Sequence, residues 1–313
     1  LRKRSRWWWL GPLASIVIFG ASLVVLWHII SGMEPGQLAG AFANASLRQL
    51  GLAVAFTALS YLLLTGYDAL ALRRLGLSIA YRTTALASFT SYSVSFTLGF
   101  PIVTGGTVRY WIYSPKGVRA SEVASLTVIA GLTFWLGLGA ILCASLIYSA
   151  DAVAMLARTS PLVVQIVGGL VGLGILGYLT WIATDERTIR VRGWNLHLPG
   201  LGTTLGQMAL GACEVCAAAA VLFVLLPGGY GLEYPTFLAA YIFACLIGIA
   251  SHAPGGLGVF EATMLVALNR FPYEQVLGAL LIFRVVYYVL PFVLALVLLA
   301  LNEMIRRIRR HDT

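Results

Sequence analysis

The sequence predicts an all-α integral membrane protein with about six full transmembrane helices and two re-entrant helical hairpins, arranged as an inverted repeat. Of the 313 residues, 59% are hydrophobic and 11% are charged, whereas ordinary soluble domains carry about 25% charged residues. Several apolar runs exceed the roughly 18 residues that indicate a transmembrane helix. The net charge of +9 comes from basic residues at the ends of these runs, which favours anionic lipid over nucleic acid as the partner.

Six segments are long and apolar enough to cross the bilayer completely: 9–31, 47–66, 121–149, 161–183, 201–226 and 274–301. The first follows a basic start, but its apolar run is too long for the h-region of a signal peptide. We therefore interpret it as the first membrane helix. The chain starts at Leu1 rather than Met, so we expect it to be part of a longer protein.

Two further apolar segments do not fit simple spans. Residues 80–100 are rich in Ser and Thr and are followed by Pro101, and residues 236–269 are interrupted by "SHAPGGLGVFE". Non-helical backbone is tolerated at membrane depth only where it is buried in protein or lines a polar cavity, since each unpaired group costs several kcal/mol. We interpret both segments as re-entrant hairpins beside a water-accessible site. The alternative is a glycine-rich bend packed against neighbouring helices.

The distribution of basic residues predicts the orientation. Seventeen of the 21 Lys and Arg residues fall on one side of the predicted spans, Arg48, Arg158 and Arg270 fall on the other, and Arg284 lies within a span. The positive-inside rule then places both termini in the cytoplasm. This count requires that residues 80–100 enter and leave from the cytoplasm, and residues 236–269 from outside.

The two halves of the chain then show the same order of elements in opposite orientation. Residues 1–149 and residues 161–313 each give two helices, a re-entrant segment and a further helix. Each re-entrant region also contains a Pro followed by Gly-Gly, in "GFPIVTGGTVRYW" and "SHAPGGLGVFE". This pattern is typical of transporters in which broken helices meet near the midplane at a substrate site. We predict one transmembrane domain over 1–313, with these halves as inverted repeats.

Glu214 is the clearest charge at membrane depth. It lies about 12 residues from either end of its span, where a charge costs roughly 2.5–3.5 kcal/mol, so we expect it to face a cavity or a cation. Gln207 lies on the same helical face and is a candidate for a polar relay. The alternative is a protonated glutamate buried for structural reasons. Cys213 and Cys216 are interpreted as small packing residues, and we expect no metal and no cofactor.

Arg284 is the second intramembrane charge, with Tyr287 and Tyr288 one turn later. Its planar guanidinium suits a carboxylate or a lipid phosphate equally well. Glu261 falls in the first turn of a helix that begins near Gly256, where the helix dipole alone would favour a carboxylate.

The remaining candidate residues lie near the two Gly-Gly pairs and at the end of the second span. Arg109 follows Gly105 and Gly106, whose backbone N–H groups could cradle a phosphate, and Gly255 and Gly256 are the equivalent backbone sites of the second hairpin. Asp68 is either a substrate ligand or a solvated residue beside Arg73 and Arg74. His252 is a candidate proton relay, although a plain hydrogen-bonding role is favoured.

The candidate residues combine cations that suit a phosphate with carboxylates that suit an amine. A zwitterionic or cationic phospholipid headgroup needs both. The sequence contains no Walker loop, nucleophile elbow or HExxH motif, so ATP hydrolysis and proteolysis are not predicted and no catalytic residue is assigned.

Three segments resemble the membrane domain of the multiple peptide resistance factor family, the bacterial lysylphosphatidylglycerol synthase/flippases. They are "PIVTGGTVRYWIYS" at 101–114, "HAPGGLGVFE" at 252–261 and "RVVYYVLPFVLALVLLALNE" at 284–303. The resemblance extends over nearly the whole chain, although the Pro-Gly-Gly-x-Gly-x-x-Glu element also occurs in related membrane proteins with other substrates. By motif match it implies functional roles for Asp68, Arg109, Glu261 and Arg284, whereas Glu214 rests on the physical argument.

The resemblance implies a flippase domain that moves aminoacylated phosphatidylglycerol to the outer leaflet of the bacterial cytoplasmic membrane. There the lipid lowers the negative surface charge and gives resistance to cationic antimicrobial peptides. The family's aminoacyltransferase domain is absent from a chain that ends at Thr313, so we expect a transporter and not an enzyme. Expected partners are anionic and aminoacylated phospholipids, the synthase domain of the full-length protein, and a second copy in a homodimer.

Two other functions stay open at this point. The first is a membrane-embedded lipid-modifying enzyme that uses His252 with Glu261. The second is a membrane platform that positions a cytosolic lipid synthase domain.

Overall fold

A computed structural model describes residues 35–99, 101–184, 188–191, 194–228, 231–251 and 253–311. Twelve α-helices are formed by these residues: α1 (Pro35–Asn44), α2 (Leu47–Arg74), α3 (Tyr81–Leu98), α4 (Pro101–Tyr113), α5 (Ala120–Tyr148), α6 (Ala150–Ala157), α7 (Pro161–Ala183), α8 (Leu201–Leu225), α9 (Tyr234–Ala250), α10 (Val259–Ala267), α11 (Tyr273–Phe283) and α12 (Leu290–His311). Short 3₁₀ turns lie at Ser114–Lys116 and Pro254–Gly256, and a π-helical segment, Arg284–Val289, joins α11 to α12.

Five helical segments in the described part of the chain are long and apolar enough to cross a membrane: Leu47–Arg74, Ala120–Tyr148, Pro161–Ala183, Leu201–Leu225 and Tyr273–Ile308. They correspond to five of the six predicted spans, and the predicted span at 9–31 lies outside the described residues. The chain is therefore a multi-pass membrane protein.

A small β-hairpin connects α7 to α8, which the all-α prediction did not include. Strands β1 (Thr188–Val191) and β2 (Trp194–His197) pair antiparallel, with Thr188 opposite His197. Polar residues alternate there with Ile189, Val191 and Trp194, residue types that fit a pleated surface, and too few apolar residues follow one another to extend a membrane helix.

Local signals explain where several helices begin. Ser46 and Gln49 form a capping box at the start of α2, in which the Ser46 hydroxyl accepts from the Gln49 N–H at 3.2 Å and the Gln49 side chain accepts from the Ser46 N–H at 3.0 Å. At the start of α7 the Ser160 hydroxyl accepts from the Val163 N–H at 3.4 Å, and Pro161 occupies the first turn. This helix lies at the periphery of the bundle. Three of its Leu side chains are more than 60% exposed, namely Leu162, Leu170 and Leu173.

Two helical segments are interrupted at glycines with positive φ. Helix α3 ends before Gly99 (φ 79°), and α4 begins at Pro101. Helix α9 ends at Ala250 and is followed by the turn at Pro254–Gly256, in which Gly255 and Gly256 have φ of 57° and 63°. Because an L side chain is strained at such φ values, these positions favour glycine.

The core lies where α2 packs against α3 and α8. Helices α5 and α8 also approach backbone to backbone, since a Cβ on Gly137 would lie 3.0 Å from the Gly211 Cα. The main buried cluster combines residues of α2, α8, α9, α10, α11 and the π-helical segment. Small residues at these crossings allow the helices to approach closely, as is usual in membrane bundles.

Candidate functional site

The first buried centre is an ion pair between α2 and α4. The Arg109 Nε donates to Asp68 Oδ2 and the Nη2 donates to Oδ1, both at 2.9 Å. Asp68 is fully buried and Arg109 is 3% exposed. The Arg109 guanidinium also lies 4.7 Å from the centre of the Tyr92 ring. Asp68 is therefore not solvated beside Arg73 and Arg74, because its charge is balanced by a bidentate partner 41 residues away in the sequence.

The second buried centre forms around Arg284, at the start of the π-helical segment. Its Nε donates to Glu261 Oε1, and its Nη1 donates to the Gly255 carbonyl at 2.7 Å. Glu261 Oε2 accepts from the Gly258 N–H at 2.8 Å. Arg284 is 4% exposed, yet its Nη2 has no hydrogen-bond partner among the described residues. The guanidinium thus retains one donor group in a buried position.

The two helix breaks meet at this second centre. A Cβ on Gly255 would lie 3.1 Å from the Phe96 carbonyl oxygen, 3.3 Å from the Thr97 carbonyl oxygen and 3.6 Å from Arg284 Nη1. The last turn of α3 therefore contacts the turn that follows α9. This close approach explains why a glycine is needed here, both for its φ and for the space it leaves.

The third centre surrounds Glu214 in α8, which is 2% exposed. The hydroxyl groups of Ser60 and Tyr287 both donate to Glu214 Oε1, at 2.9 and 3.1 Å, and the two hydroxyl oxygens are 2.9 Å apart. The Tyr61 hydroxyl donates to the Tyr287 carbonyl at 3.2 Å. Of the two predicted surroundings of Glu214, a cavity or a cation, the cation is not found: Glu214 forms no ion pair within the part of the chain that the structure describes.

Polar side chains without partners lie near Glu214 on the same face of α8. Gln207 is fully buried, and neither atom of its amide has a partner among the described residues. The same holds for the Tyr67 hydroxyl, which lies against α8 so closely that a Cβ on Gly211 would be 2.1 Å from it. Buried polar groups are hydrogen-bonded in the great majority of cases, so these atoms indicate a place for water or ligand.

Aromatic rings connect the two arginine centres. The centroid distances are 5.7 Å from Tyr92 to Phe96, 6.3 Å from Phe96 to Tyr287 and 5.3 Å from Tyr287 to Tyr288. Arg109 stacks on Tyr92 at one end, and Arg284 lies 4.6 Å from the Tyr288 ring centre at the other. This aromatic row, Tyr92–Phe96–Tyr287–Tyr288, gives both cations an apolar but electron-rich surface.

The structure corrects the prediction for Gly105 and Gly106. Both lie in the second turn of α4, where backbone N–H groups are bonded within the helix. They therefore offer no open cradle for a phosphate. Gly105 instead allows close packing, because a Cβ there would lie 2.6 Å from Ser95 Oγ and 3.1 Å from Arg109 Nη1.

The other predicted residues divide between the centres and the undescribed part of the chain. Arg284 was predicted to pair with either a carboxylate or a lipid phosphate, and in the structure it pairs with the carboxylate of Glu261. The Gly255 carbonyl, rather than an N–H, faces the arginine. The Gly256 N–H donates to the Ala253 carbonyl at 2.9 Å. His252 lies outside the described residues.

Sequence reasoning identified Asp68 of α2 as a candidate but missed the other polar residues of this helix that belong to the site. Thr57, Ser60, Tyr61, Tyr67 and Asp68 are all buried. Their spacings of three to four and of six to seven residues correspond to one and two helical turns, so they form one polar face of an otherwise apolar helix. That stripe is visible in the sequence and would have indicated Ser60 and Tyr67 as site residues.

Sequence comparisons match most of the chain to known proteins. The family model described as "Lysylphosphatidylglycerol synthase TM region" matches residues 8–295. An uncharacterized protein of Synechocystis sp. is 33% identical over 287 residues, 90% of this chain and 85% of the relative. The inner membrane protein YbhN of Escherichia coli is 31% identical over 258 residues, 80% of this chain and 79% of YbhN.

Shorter matches link the chain to much larger proteins. The phosphatidylglycerol lysyltransferase of Staphylococcus haemolyticus is 38% identical over 88 residues, which is 27% of this chain but 10% of that protein. The corresponding protein of Staphylococcus aureus is 35% identical over 109 residues, 33% of this chain and 12% of that protein. Because the family model matches nearly the whole of this chain, the chain belongs to the family of the lysylphosphatidylglycerol synthase transmembrane region.

Proposed function

We propose that the chain is a lipid transporter that moves an aminoacylated phosphatidylglycerol, foremost lysyl-phosphatidylglycerol, from the inner to the outer leaflet of the bacterial cytoplasmic membrane. Membership of the family and the matches to phosphatidylglycerol lysyltransferases support this lipid class. The match to an inner membrane protein supports the location. Outward movement of this lipid would lower the negative surface charge and so give resistance to cationic antimicrobial peptides.

The observation that carries the proposal is the unpaired Nη2 of Arg284 at the point where the two helix breaks meet. Arg109 is a poorer phosphate ligand, because Asp68 occupies its Nε and Nη2. Arg284 donates to a carboxylate only through its Nε, and its Nη1 donates to a backbone carbonyl. A lipid phosphate would therefore bind at Arg284, where one donor needs no prior rearrangement.

Glu261 would take the amine of the same headgroup. It is the more exposed partner of the second centre, with 19% of its side chain accessible against 4% for Arg284. The phosphate and one ammonium group of the headgroup can exchange with the protein pair, since the phosphate replaces Glu261 on Arg284 and the ammonium replaces Arg284 on Glu261. Because the exchange leaves neither Arg284 nor Glu261 unpaired, it avoids most of the penalty of opening a buried ion pair.

The interrupted helices support a transporter architecture. In the proposal, α3 with α4 and α9 with α10 are the two re-entrant hairpins of an inverted repeat, and both termini lie in the cytoplasm. Their contact at Gly255 places irregular backbone beside protein rather than lipid, as the bilayer requires. Outward movement of a cationic lipid runs against the inside-negative membrane potential and would cost about 2.3 kcal/mol per charge per 100 mV.

The proposal assigns transport and not lipid synthesis to this chain. Aminoacyl transfer would belong to the remainder of the larger relatives, which these matches do not cover. The partners in the proposal are anionic and aminoacylated phospholipids, a synthase domain in a full-length protein and a second copy of the chain.

The test is the exposure of lysyl-phosphatidylglycerol in proteoliposomes, read with an amine-reactive label that does not cross the membrane. Arg284→Lys keeps the positive charge but loses the planar fork. We expect labelling to slow by about 10- to 100-fold, the equivalent of one lost charge-assisted hydrogen bond. The matched control is Arg119→Lys, whose parent side chain is 77% exposed beside Glu122.

Equal labelling rates for wild type and Arg284→Lys, with both proteins folded, would refute the assigned phosphate site. Mass spectrometry of the recovered lipid separates transport from chemistry. An unchanged lipid mass is expected, whereas a new lipid species would indicate a membrane-embedded enzyme.

A further inference from the structure

Glu214 is the one buried acidic group of the three centres that has no cation beside it. Asp68 is paired with Arg109 and Glu261 with Arg284, so the four groups of those pairs balance in charge. Glu214 has hydroxyl groups as partners instead. An ionised carboxylate that is buried without a cation carries a large desolvation cost.

The oxygen contacts around Glu214 allow its protons to be counted. Three oxygens, Glu214 Oε1, Ser60 Oγ and Tyr287 Oη, lie 2.9, 2.9 and 3.1 Å apart in a closed triangle. Each edge has a hydrogen-bond length. With an ionised carboxylate only two hydroxyl protons are present, so one edge would join two oxygens without a proton. With one more proton on Oε1, one hydroxyl accepts from Oε1 and donates to the other hydroxyl, which still donates to Oε1, so every oxygen donates once and accepts once.

Within the described residues, the ionisable groups of neighbouring elements that interact electrostatically with Glu214 supply no compensating positive charge. They are weak acids, namely Tyr61 and Tyr67 of α2, Tyr92 of α3, Tyr241 and Cys245 of α9, and Tyr288 beside Tyr287. On its own helix, Cys216 is a further weak acid. A proton on Glu214 is therefore the change that neutralises this site.

A polar route leads from Glu214 along α8. Gln207 lies on the same face, two helical turns or about 10 Å away. The Tyr67 hydroxyl lies against Gly211, between these two positions. Gln207 and Tyr67 are fully buried and have polar atoms without partners in the described structure. Side chains of this kind hold ordered water in protein interiors, and water conducts protons.

We infer that Glu214 is a proton-binding site and that the transporter exchanges this proton for the cationic headgroup. In the exchange the Oε1–H bond breaks, and the proton leaves as hydronium along Tyr67 and Gln207. The resulting carboxylate accepts hydrogen bonds from Ser60 and Tyr287 and pairs with a substrate ammonium. The coupling step rests on the proposed transport function, whereas the bound proton does not.

Infrared difference spectroscopy tests the proton without any transport. Wild type minus Glu214→Gln, both in lipid at neutral pH, should show the C=O stretch of a protonated carboxyl that shifts in D₂O. Tyr287→Phe should move that band, because it removes one edge of the triangle. Gln207→Leu should slow its exchange with D₂O by about tenfold, the equivalent of one lost hydrogen bond to water. Absence of the band from wild type would overturn the inference.

A pH gradient across proteoliposomes tests the coupling. We expect the gradient to change the rate of lipid exposure in wild type by severalfold, in opposite senses for opposite gradients, and Glu214→Gln to remove this dependence. If the rate of lipid exposure in wild type does not depend on the pH gradient, the coupling is refuted while the transport proposal stands. No exposure at either gradient, with the carboxyl band present, would refute transport and leave the proton site.

Discussion

Substitution of Asp68 by Asn should destabilise the fold more than any exchange at an exposed ion pair. Asp68→Asn keeps the size of the side chain but leaves Arg109 buried with its positive charge uncompensated. The pair consists of two charge-assisted hydrogen bonds of 2.9 Å, and such bonds contribute about 1.5–3 kcal/mol each. Removing one partner of a buried pair costs about 3–5 kcal/mol in the free energy of unfolding.

The matched control is Glu122→Gln, which removes the acidic partner of Arg119. That arginine is 77% exposed, so water replaces the lost partner and we expect no measurable change in stability. A second variant, Asp68→Leu with Arg109→Met, removes both charges of the buried pair. Its stability should recover most of the loss, because no unpaired charge remains.

The assay is reversible unfolding in mixed micelles by SDS titration, followed by circular dichroism. If Asp68→Asn unfolds at the same SDS fraction as wild type and as Glu122→Gln, Arg109 has another partner or water reaches it, and the reasoning fails. A double variant as unstable as Asp68→Asn would show that shape, rather than charge, accounts for the loss.

Two further predictions concern the helix break and the aromatic row. Gly255→Ala should destabilise the fold by about 1–2 kcal/mol or more, because the left-handed φ of 57° disfavours alanine and its Cβ would lie 3.1 Å from the Phe96 carbonyl oxygen. The control is Gly51→Ala, whose added Cβ would have no heavy atom from outside its own helix within 4 Å. It should be neutral or stabilising in the same SDS titration. Tyr287→Phe should lower the free energy of unfolding by no more than about 1.5 kcal/mol, since the variant loses hydrogen bonds but keeps the ring. It should nevertheless alter the pH dependence of lipid exposure, and an unchanged dependence would show that the hydroxyl does not influence Glu214.

The spans could be predicted because long apolar runs are a local property of the sequence. Five of the six predicted spans correspond to helices long and apolar enough to cross a membrane in the described residues, and the sixth lies outside them. Their ends were less predictable. The second span was predicted to end at 66, whereas α2 continues to Arg74, because the residues after the apolar run still favour a helix and its polar face packs on α4 and α8.

The partners of the buried charges could not be predicted because they come from distant parts of the chain. Arg109 was expected beside glycine N–H groups, but helix α4 uses those groups itself and the arginine turns to Asp68. Glu214 was expected to face a cavity or a cation. The two buried arginines, Arg109 and Arg284, pair with other carboxylates, and Glu214 accepts hydrogen bonds from Ser60 and Tyr287 instead.

The two helix breaks could be predicted from the sequence, but the atoms through which they contact each other could not. The Pro and Gly-Gly repeats indicated two breaks, and the parity of basic residues indicated opposite orientations. Which atoms meet depends on the packing of α3 against the turn at Pro254–Gly256, and hence on the φ values of Gly255 and Gly256. These depend on tertiary contacts, which a single sequence does not display.

The most direct test of the central claim is the exposure of lysyl-phosphatidylglycerol on wild-type proteoliposomes beside protein-free liposomes of the same lipid composition. The lipid is placed in the inner leaflet, and the impermeant amine label is added outside. The account predicts labelling that grows with time and with protein content, with no change in lipid mass. Labelling at the rate of protein-free liposomes, with the protein shown to be folded by its SDS unfolding transition, would contradict it.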